Sequence, residues 1–419
     1  MRSRVYYGEY SLRHWINLML TRNIELPEYQ RSFVWSEKDI KRLIKSLDEG
    51  QFVQPITIAH YICNGKEKNL ILDGQQRLTS ILLALIGYMP DKKVFNEDVD
   101  IASGDDSMED SDSDDSKKRI GWTFENIVDA DISKNDPNRI KEEIRRSSKY
   151  IKINIEIDKN SIDVFLDTTF LGFSYIIPME DDSSKTQNFF STLFRNMNYL
   201  GKKLSSLESR RSLYYQNEKL NKFFEGITSD DKDVLCNIGL LENMQNHRID
   251  FVRYLSILSQ FKAKNGDCKK VLVGYSSYSS RESYYADYVS YIVGLEQESR
   301  TNKFDDFYFD VVFAGNCWIN RFNEIRNTIE KIKDKMCLDM KKNAFTSWID
   351  ADYWLFGLLY WVLFEGKSIL YDTTLLKLIT KEISSKRDGG GDYSKNPNRL
   401  GNLRDRLQAS VNLYKDYAK

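Results

Sequence analysis

The sequence predicts an α+β chain: an α/β amino-terminal domain over residues 1–215, then an all-α carboxy-terminal domain over 216–419. Three observations predict it. Strand-like runs at 56–61 and 69–73 flank a turn and lead straight into a helix-period run after Asp73-Gly74. Further strand-like runs follow at 150–158 and 170–179. Beyond Tyr215 the apolar spacing is helical almost throughout. At 419 residues the chain is too long for one ordinary core, which supports two domains.

Taken in order, Ser11 is placed to cap a helix running to Asn23, with Leu12, Trp15, Ile16, Met19 and Leu20 at helical spacing. Pro27 keeps the next segment out of helix. Ser36 caps a second helix over 37–49, with Ile40, Leu43, Ile44 and Leu47 on one face, and Gly50 ends it. The strand pair turns at Asn64-Gly65, and a helix runs from Arg77 to about Tyr88. Residues 96–118 hold Asp105-Asp106, Glu109-Asp110 and Asp112 to Asp115 among Ser and Gly, with almost nothing to bury. They are expected as a disordered acidic insertion, a solvated loop ahead of a nucleic-acid mimic. Ile151, Ile153, Ile155 and Ile157 alternate along the strand expected at 150–158. A helix is expected over 187–197, and Ser205 with Glu208 has capping-box spacing for the next one. Further helices are expected near 217–226, 230–238, 248–264, 281–298, 305–339, 349–365, 373–384 and 401–416, with a Gly- and Asn-rich loop at 388–398.

Composition excludes several functions. A net charge of -1 gives no global pull toward nucleic acid or acidic membranes. The five cysteines are scattered without a CxxC pair, so neither a zinc knuckle nor a disulfide framework is expected. The amino terminus lacks the apolar core of a signal peptide, and the most apolar stretch, 353–364, is too short to cross a bilayer. A cytoplasmic protein without membrane contact is expected. With His14, His60 and His247 alone, no zinc hydrolase or HNH-type nuclease cluster can be built, and each histidine is expected to be structural.

The densest chemistry lies in Asp73-Gly74-Gln75-Gln76-Arg77 at a strand-to-helix junction. Gly74 allows close backbone approach, and the helix start offers amide donors and a positive dipole end to a phosphate. Arg77 supplies a bidentate fork, Gln75 and Gln76 hydrogen-bonding amides, and Asp73 a ligand for Mg2+ or an orienter of water. The plainer reading is a tight turn with a capping aspartate. A second cluster, Tyr29-Gln30-Arg31 with Trp35, suits phosphate contact and base stacking, or is a helix-entry loop with Trp35 in the core. Asn198, Gly201 and Glu208 form a third group that reads equally as a cap. Arg281 with Tyr284, Tyr285 and Tyr288 could contact nucleic acid, though tyrosines so spaced more often line a core. Arg399, Arg404 and Arg406 read as a solvated helix face.

Pro27…Tyr29-Gln30-Arg31…Val34-Trp35, Asp73-Gly74-Gln75-Gln76-Arg77-Leu78-Thr79 and Phe194…Asn198-Tyr199-Leu200-Gly201…Leu204-Ser205…Glu208 together resemble the amino-terminal domain of GmrSD-type restriction proteins. The resemblance covers about the first half of the chain. It implies a ParB/sulfiredoxin-like fold and nucleoside triphosphate binding, with hydrolysis dependent on the DGQQR-type motif in several members. Members often act against modified phage DNA. By carry-over Asp73, Gln75, Gln76 and Arg77 are the catalytic residues, with Asp73 on Mg2+. Gly74, Arg31, Gln30, Tyr29, Trp35 and Asn198 would bind the nucleotide. Many relatives carry an HNH-type nuclease domain, which His247 alone cannot supply, so a nuclease would be a partner chain or an unconventional site. The function expected is a prokaryotic anti-phage defence protein that binds and hydrolyses nucleoside triphosphate, coupled to DNA sensing or restriction. The alternative is a non-catalytic DNA-binding module, or a partner-assembly module that docks another subunit or a second copy.

Overall fold

The computed structural model describes residues 3–27, 33–63, 66–91, 94–95, 122–155, 161–178, 193, 206–215, 217–242, 244–271, 278–295, 303–370 and 372–419. The chain divides into two compact units, one within 1–212 and one from Leu213 to Lys419. The acidic segment 96–118, the expected turn at Asn64-Gly65 and the expected helix at 187–197, Leu193 apart, lie outside the described residues.

The first unit is built on a four-stranded sheet. Its strands are β1 (Ser3–Ser11), β2 (Ile56–Cys63), β3 (Lys66–Asp73) and β6 (Phe170–Pro178), in the order β1-β6-β2-β3. β1 and β6 are antiparallel, β6 and β2 parallel, and β2 and β3 antiparallel. Two three-residue strands, β4 (Tyr88–Pro90) and β5 (Tyr150–Lys152), form a separate ladder. Helices α1 (Leu12–Leu20), α2 (Glu37–Asp48) and α3 (Gln75–Ile86) supply most of the core on one side. Ser11 caps α1 by accepting from the His14 amide at 3.3 Å. Ser36 and Asp39 form a reciprocal capping box on α2. Trp15 is fully buried and its indole donates to the Leu171 carbonyl at 3.1 Å, tying α1 to β6. α3 is enclosed along nearly its whole length, so this short helix anchors whatever its first turn carries.

Four elements here depart from the sequence expectation. β1 went unpredicted because it is an edge strand, exposed from Arg4 to Glu9, and so lacks an apolar alternation. The strand expected over 150–158 is only three residues long, Tyr150–Lys152, and its Ile151 is exposed, so the alternating isoleucines do not share one buried face; 156–158 lie outside the described residues. Helices α4 (Pro137–Arg145) and α5 (Ile162–Thr168) are short and bury only two side chains each, which is too little periodicity to detect.

The second unit is mostly helical: α7 (Glu218–Glu225), α8 (Phe251–Ala263), α9 (Tyr278–Val293), α10 (Trp318–Ile332), α11 (Trp348–Leu359), α12 (Thr373–Asp388) and α13 (Leu400–Lys415), after α6 (Ser206–Tyr214) at the boundary. It is not all-α. Gly239–Glu242, Gln245–Arg248, Leu338–Asp339 and Ala344–Phe345 form a small four-stranded sheet, whose two- to four-residue strands carry no readable period. The helix expected at 230–238 is a run of turns, with Asp231, Cys236 and Asn237 at positive φ. The long helix expected at 305–339 breaks at Gly315 and Asn316, also at positive φ. Part of the loop expected at 388–398 is the helical turn Gly391–Lys395.

This unit's core contains an ion cluster that corrects the surface reading of Arg406. Asp352 on α11 accepts from Arg253 on α8 at 2.5 and 2.9 Å and from Arg406 on α13 at 2.9 and 2.8 Å. The Tyr254 hydroxyl also donates to Asp352, at 3.0 Å, and Arg253 stacks 4.0 Å over the Trp348 ring. Burial pushes the Asp352 carboxyl up, but the two guanidinium groups outweigh it and hold it below its ordinary value. Arg404 is half-buried and donates to the Val271 carbonyl at 2.6 and 2.9 Å. Gly357 lets α11 and α13 touch, since a Cβ there would lie 2.3 Å from Tyr414 and 2.5 Å from the Ser410 carbonyl. Tyr284, Tyr285 and Tyr288 are core residues and Arg281 is buried, so the nucleic-acid reading of α9 fails. Replacing Asp352 by Asn leaves two buried cations without a counter-charge. Chemical denaturation should show the second unit weakened by about 3–5 kcal/mol; a loss under ~1 kcal/mol would contradict the cluster.

Candidate functional site

The site is the corner where β3 ends and α3 begins. Gly74 sits at φ 100°, a left-handed conformation that lets the chain turn in one residue and starts α3 at Gln75, two residues earlier than expected. Asp73 closes β3 opposite Thr57, where a bulge interrupts the β2–β3 ladder. Its side chain is 53% exposed, whereas that of Arg77 one helical turn later is 10% exposed.

Arg77 is turned onto the protein. Nη2 donates to Asp73 Oδ2 at 2.5 Å and to the Pro55 carbonyl at 3.5 Å. Nη1 donates to the Gln54 carbonyl at 3.0 Å and to Gln54 Oε1 at 3.3 Å. The guanidinium therefore clamps the 54–55 loop and fixes the rotamer of Asp73, whose carboxylate is the outward-facing charge. Gln76 is buried, and its Oε1 accepts from the Val34 amide at 2.9 Å. It thereby tethers the chain just after the segment that holds Tyr29, Gln30 and Arg31. Gln75 is also buried.

The predicted residues are thus partly assembled. Asp73, Gly74, Gln75, Gln76 and Arg77 form one corner, and Gln76 bonds the residue next to Trp35, which packs against the core. Tyr29, Gln30, Arg31 and Asn198 lie outside the described residues. Gln54 carries no signal in the sequence, because a glutamine in a polar loop shows no period and its partner is 23 residues away.

Elsewhere in this unit, the Tyr175 hydroxyl donates to Asn69 Oδ1 at 2.6 Å and lies 3.3 Å from His60 Nδ1. Burial, with a smaller contribution from Glu67, pushes that hydroxyl's pKa up, which suits a fixed donor. His14 packs against Tyr10, and His247 lies in the small sheet of the second unit. Among the described residues there is no group of three or more His, Cys, Asp or Glu that could hold a metal ion. Cys236, Cys268, Cys317 and Cys337 are free thiols. No helix among the described residues is long and apolar enough to cross a membrane.

The GmrSD restriction endonuclease N-terminal domain matches residues 14–215, which contain the whole corner. Residues 14–215 are a GmrSD-type N-terminal domain. An uncharacterized protein of Methanocaldococcus jannaschii is 37% identical over 94 residues. That stretch is 17% of this chain and 16% of the relative, so the likeness spans under a fifth of either. No solved structure matches the chain.

Gly74 is the most sensitive position in the GmrSD corner. A Cβ there would lie 2.4 Å from Ile56 Cδ1 and 3.2 Å from Arg77 Nη2, on a backbone that L side chains avoid. Gly74→Ala should destabilise the first unit by about 1–3 kcal/mol in chemical denaturation. Unfolding identical to wild type would show that the close approach is absent.

Proposed function

We propose that the chain is a prokaryotic defence protein that binds and hydrolyses nucleoside triphosphate at the Asp73–Arg77 corner, and that nucleotide turnover is coupled to DNA sensing or restriction. The observation that carries this reading is the division of labour within one ion pair. A buried arginine, fully engaged with protein atoms, holds a half-exposed aspartate at the amino-terminal end of an enclosed helix. A turn that only needed capping would not require an arginine that bonds its carboxylate and three further oxygens of the 54–55 loop. The restriction-type family of residues 14–215 supports the biological setting.

In this reading the first-turn amides of α3 and its positive end receive phosphate oxygens. Asp73 ligates Mg2+ or orients the attacking water. A single carboxylate suffices for that, because Mg2+ keeps several waters and takes its remaining ligands from substrate phosphates. Arg77 works through Asp73, as a positioning residue. Gln76 works through the Val34 amide, fixing the backbone beside Trp35, and Arg31 is the second cation assigned to the phosphates.

Three outcomes test this. Wild-type protein should bind nucleoside triphosphate with Mg2+ and release phosphate. Asp73→Asn should abolish the Mg2+ dependence of binding, read by isothermal titration with and without the metal. Arg77→Gln, which removes only the positioning partner, should weaken Mg2+–nucleotide binding by about 10–100-fold with the fold intact by circular dichroism. Wild-type protein that neither binds nor hydrolyses any nucleoside triphosphate, with or without DNA, contradicts the reading. DNA affinity that falls steeply with salt and ignores nucleotide would favour a binding module instead.

A further inference from the structure

The register of the sheet places four polar side chains in one row that ends at the candidate site. Tyr7 on β1 is opposite Ser174 on β6, Ser174 is opposite Thr57 on β2, and Thr57 is opposite Asp73 on β3. Residues directly opposite on neighbouring strands share a face. The register shift between Thr57 and Ile58 sets Asp73, in place of Leu72, opposite Thr57 at the end of the row. The row therefore crosses all four strands, with Ser174 and Thr57 on the side opposite the α1–α3 core and Asp73 at its end, where α3 begins.

Its chemistry is graded along its length. Asp73 carries the charge at one end. The middle holds two hydroxyls that meet each other, Ser174 Oγ donating to Thr57 Oγ1 at 3.0 Å, and both residues are half-buried. At the far end Tyr7 is 80% exposed on the edge strand, an aromatic ring with no core role. Beside Ser174 on the same strand face lies Gly172, which leaves the floor low next to the hydroxyls, with Pro55 as its nearest side chain. On the other side, Ile176 and Ala59 are buried and bound the row with an apolar edge. Three strand spacings separate Asp73 from Tyr7, roughly 14 Å. That is about the reach of an extended nucleotide from terminal phosphate to base.

We propose that this row is the nucleoside-recognition strip of the site. Sugar hydroxyls bond Thr57 and Ser174, and the base stacks on Tyr7, while the phosphates lie at Asp73. The strip rests on the nucleotide reading of the Asp73–Arg77 corner and adds to it the ligand's direction and its sugar selectivity. A Thr–Ser hydroxyl pair can accept and donate at once, which matches a vicinal diol better than a lone phosphate oxygen. Tyr7 contributes a ring face that any base can use, so the strip selects for sugar and not for base identity.

The experiment compares Mg2+ complexes of ATP, of 2′,3′-dideoxy-ATP and of inorganic tripolyphosphate by isothermal titration. The proteins are wild type, Thr57→Val, Ser174→Ala and Tyr7→Ala. Valine and alanine are tolerated at strand positions, and circular dichroism verifies the fold. Wild type should prefer ATP over the dideoxy analogue by about tenfold. Thr57→Val and Ser174→Ala should erase that preference, and Tyr7→Ala should weaken both nucleotides by about tenfold or more. None of the three should change tripolyphosphate binding. Variants that bind ATP as wild type does overturn the strip and leave the corner standing. Wild type that binds neither nucleotide nor tripolyphosphate overturns both.

Discussion

The first unit's candidate chemistry depends on one ion pair made in an asymmetric setting. Arg77 is almost wholly enclosed and Asp73 is half in water, so the arginine serves the aspartate more than the reverse. An arginine can do this because its guanidinium keeps its charge even when enclosed, and its five donors can bind several carbonyls at once. With the Gln54 and Pro55 carbonyls and Asp73 all on one fork, the loop before β2, the end of β3 and the start of α3 become a single rigid body. Rigidity at that point is what allows one exposed carboxylate to present a fixed geometry to a ligand.

The same economy appears in the second unit, with a different result. Arg253, Asp352 and Arg406 use equally strong charge-assisted bonds, but all three are buried and face each other. Such a cluster fixes how α8, α11 and α13 pack and offers nothing to solvent. The contrast shows why a motif's chemistry has to be judged by exposure. Arg406 and Arg77 are both buried arginines bound to an aspartate, yet only the second holds a carboxylate that another molecule can reach.

Much of the first unit was legible in the sequence. The Ser11 and Ser36 caps, the apolar faces of α1 and α2, and the Asp73-Gly74 junction are local signals, and each appears where it was expected. β1 escaped because an exposed edge strand has no buried face to set a period. The short strands of the second unit and the left-handed residues at Asp231, Cys236, Asn237 and Asn316 escaped because the surroundings, not the local sequence, impose them. At the site, the five-residue motif was visible while its supports were not. Gln54 meets Arg77 by loop closure, and Thr57 and Ser174 join the row through sheet register between strands distant in the chain. No window of sequence contains that information.

The most direct test of the central claim is a double-mutant cycle between Asp73 and Arg77, read out as Mg2+–nucleotide affinity. If Arg77 acts only by holding Asp73, the Asp73→Asn/Arg77→Gln protein will bind no more weakly than Asp73→Asn alone. Losses that simply add would mean that the arginine meets the ligand independently, and would contradict the account.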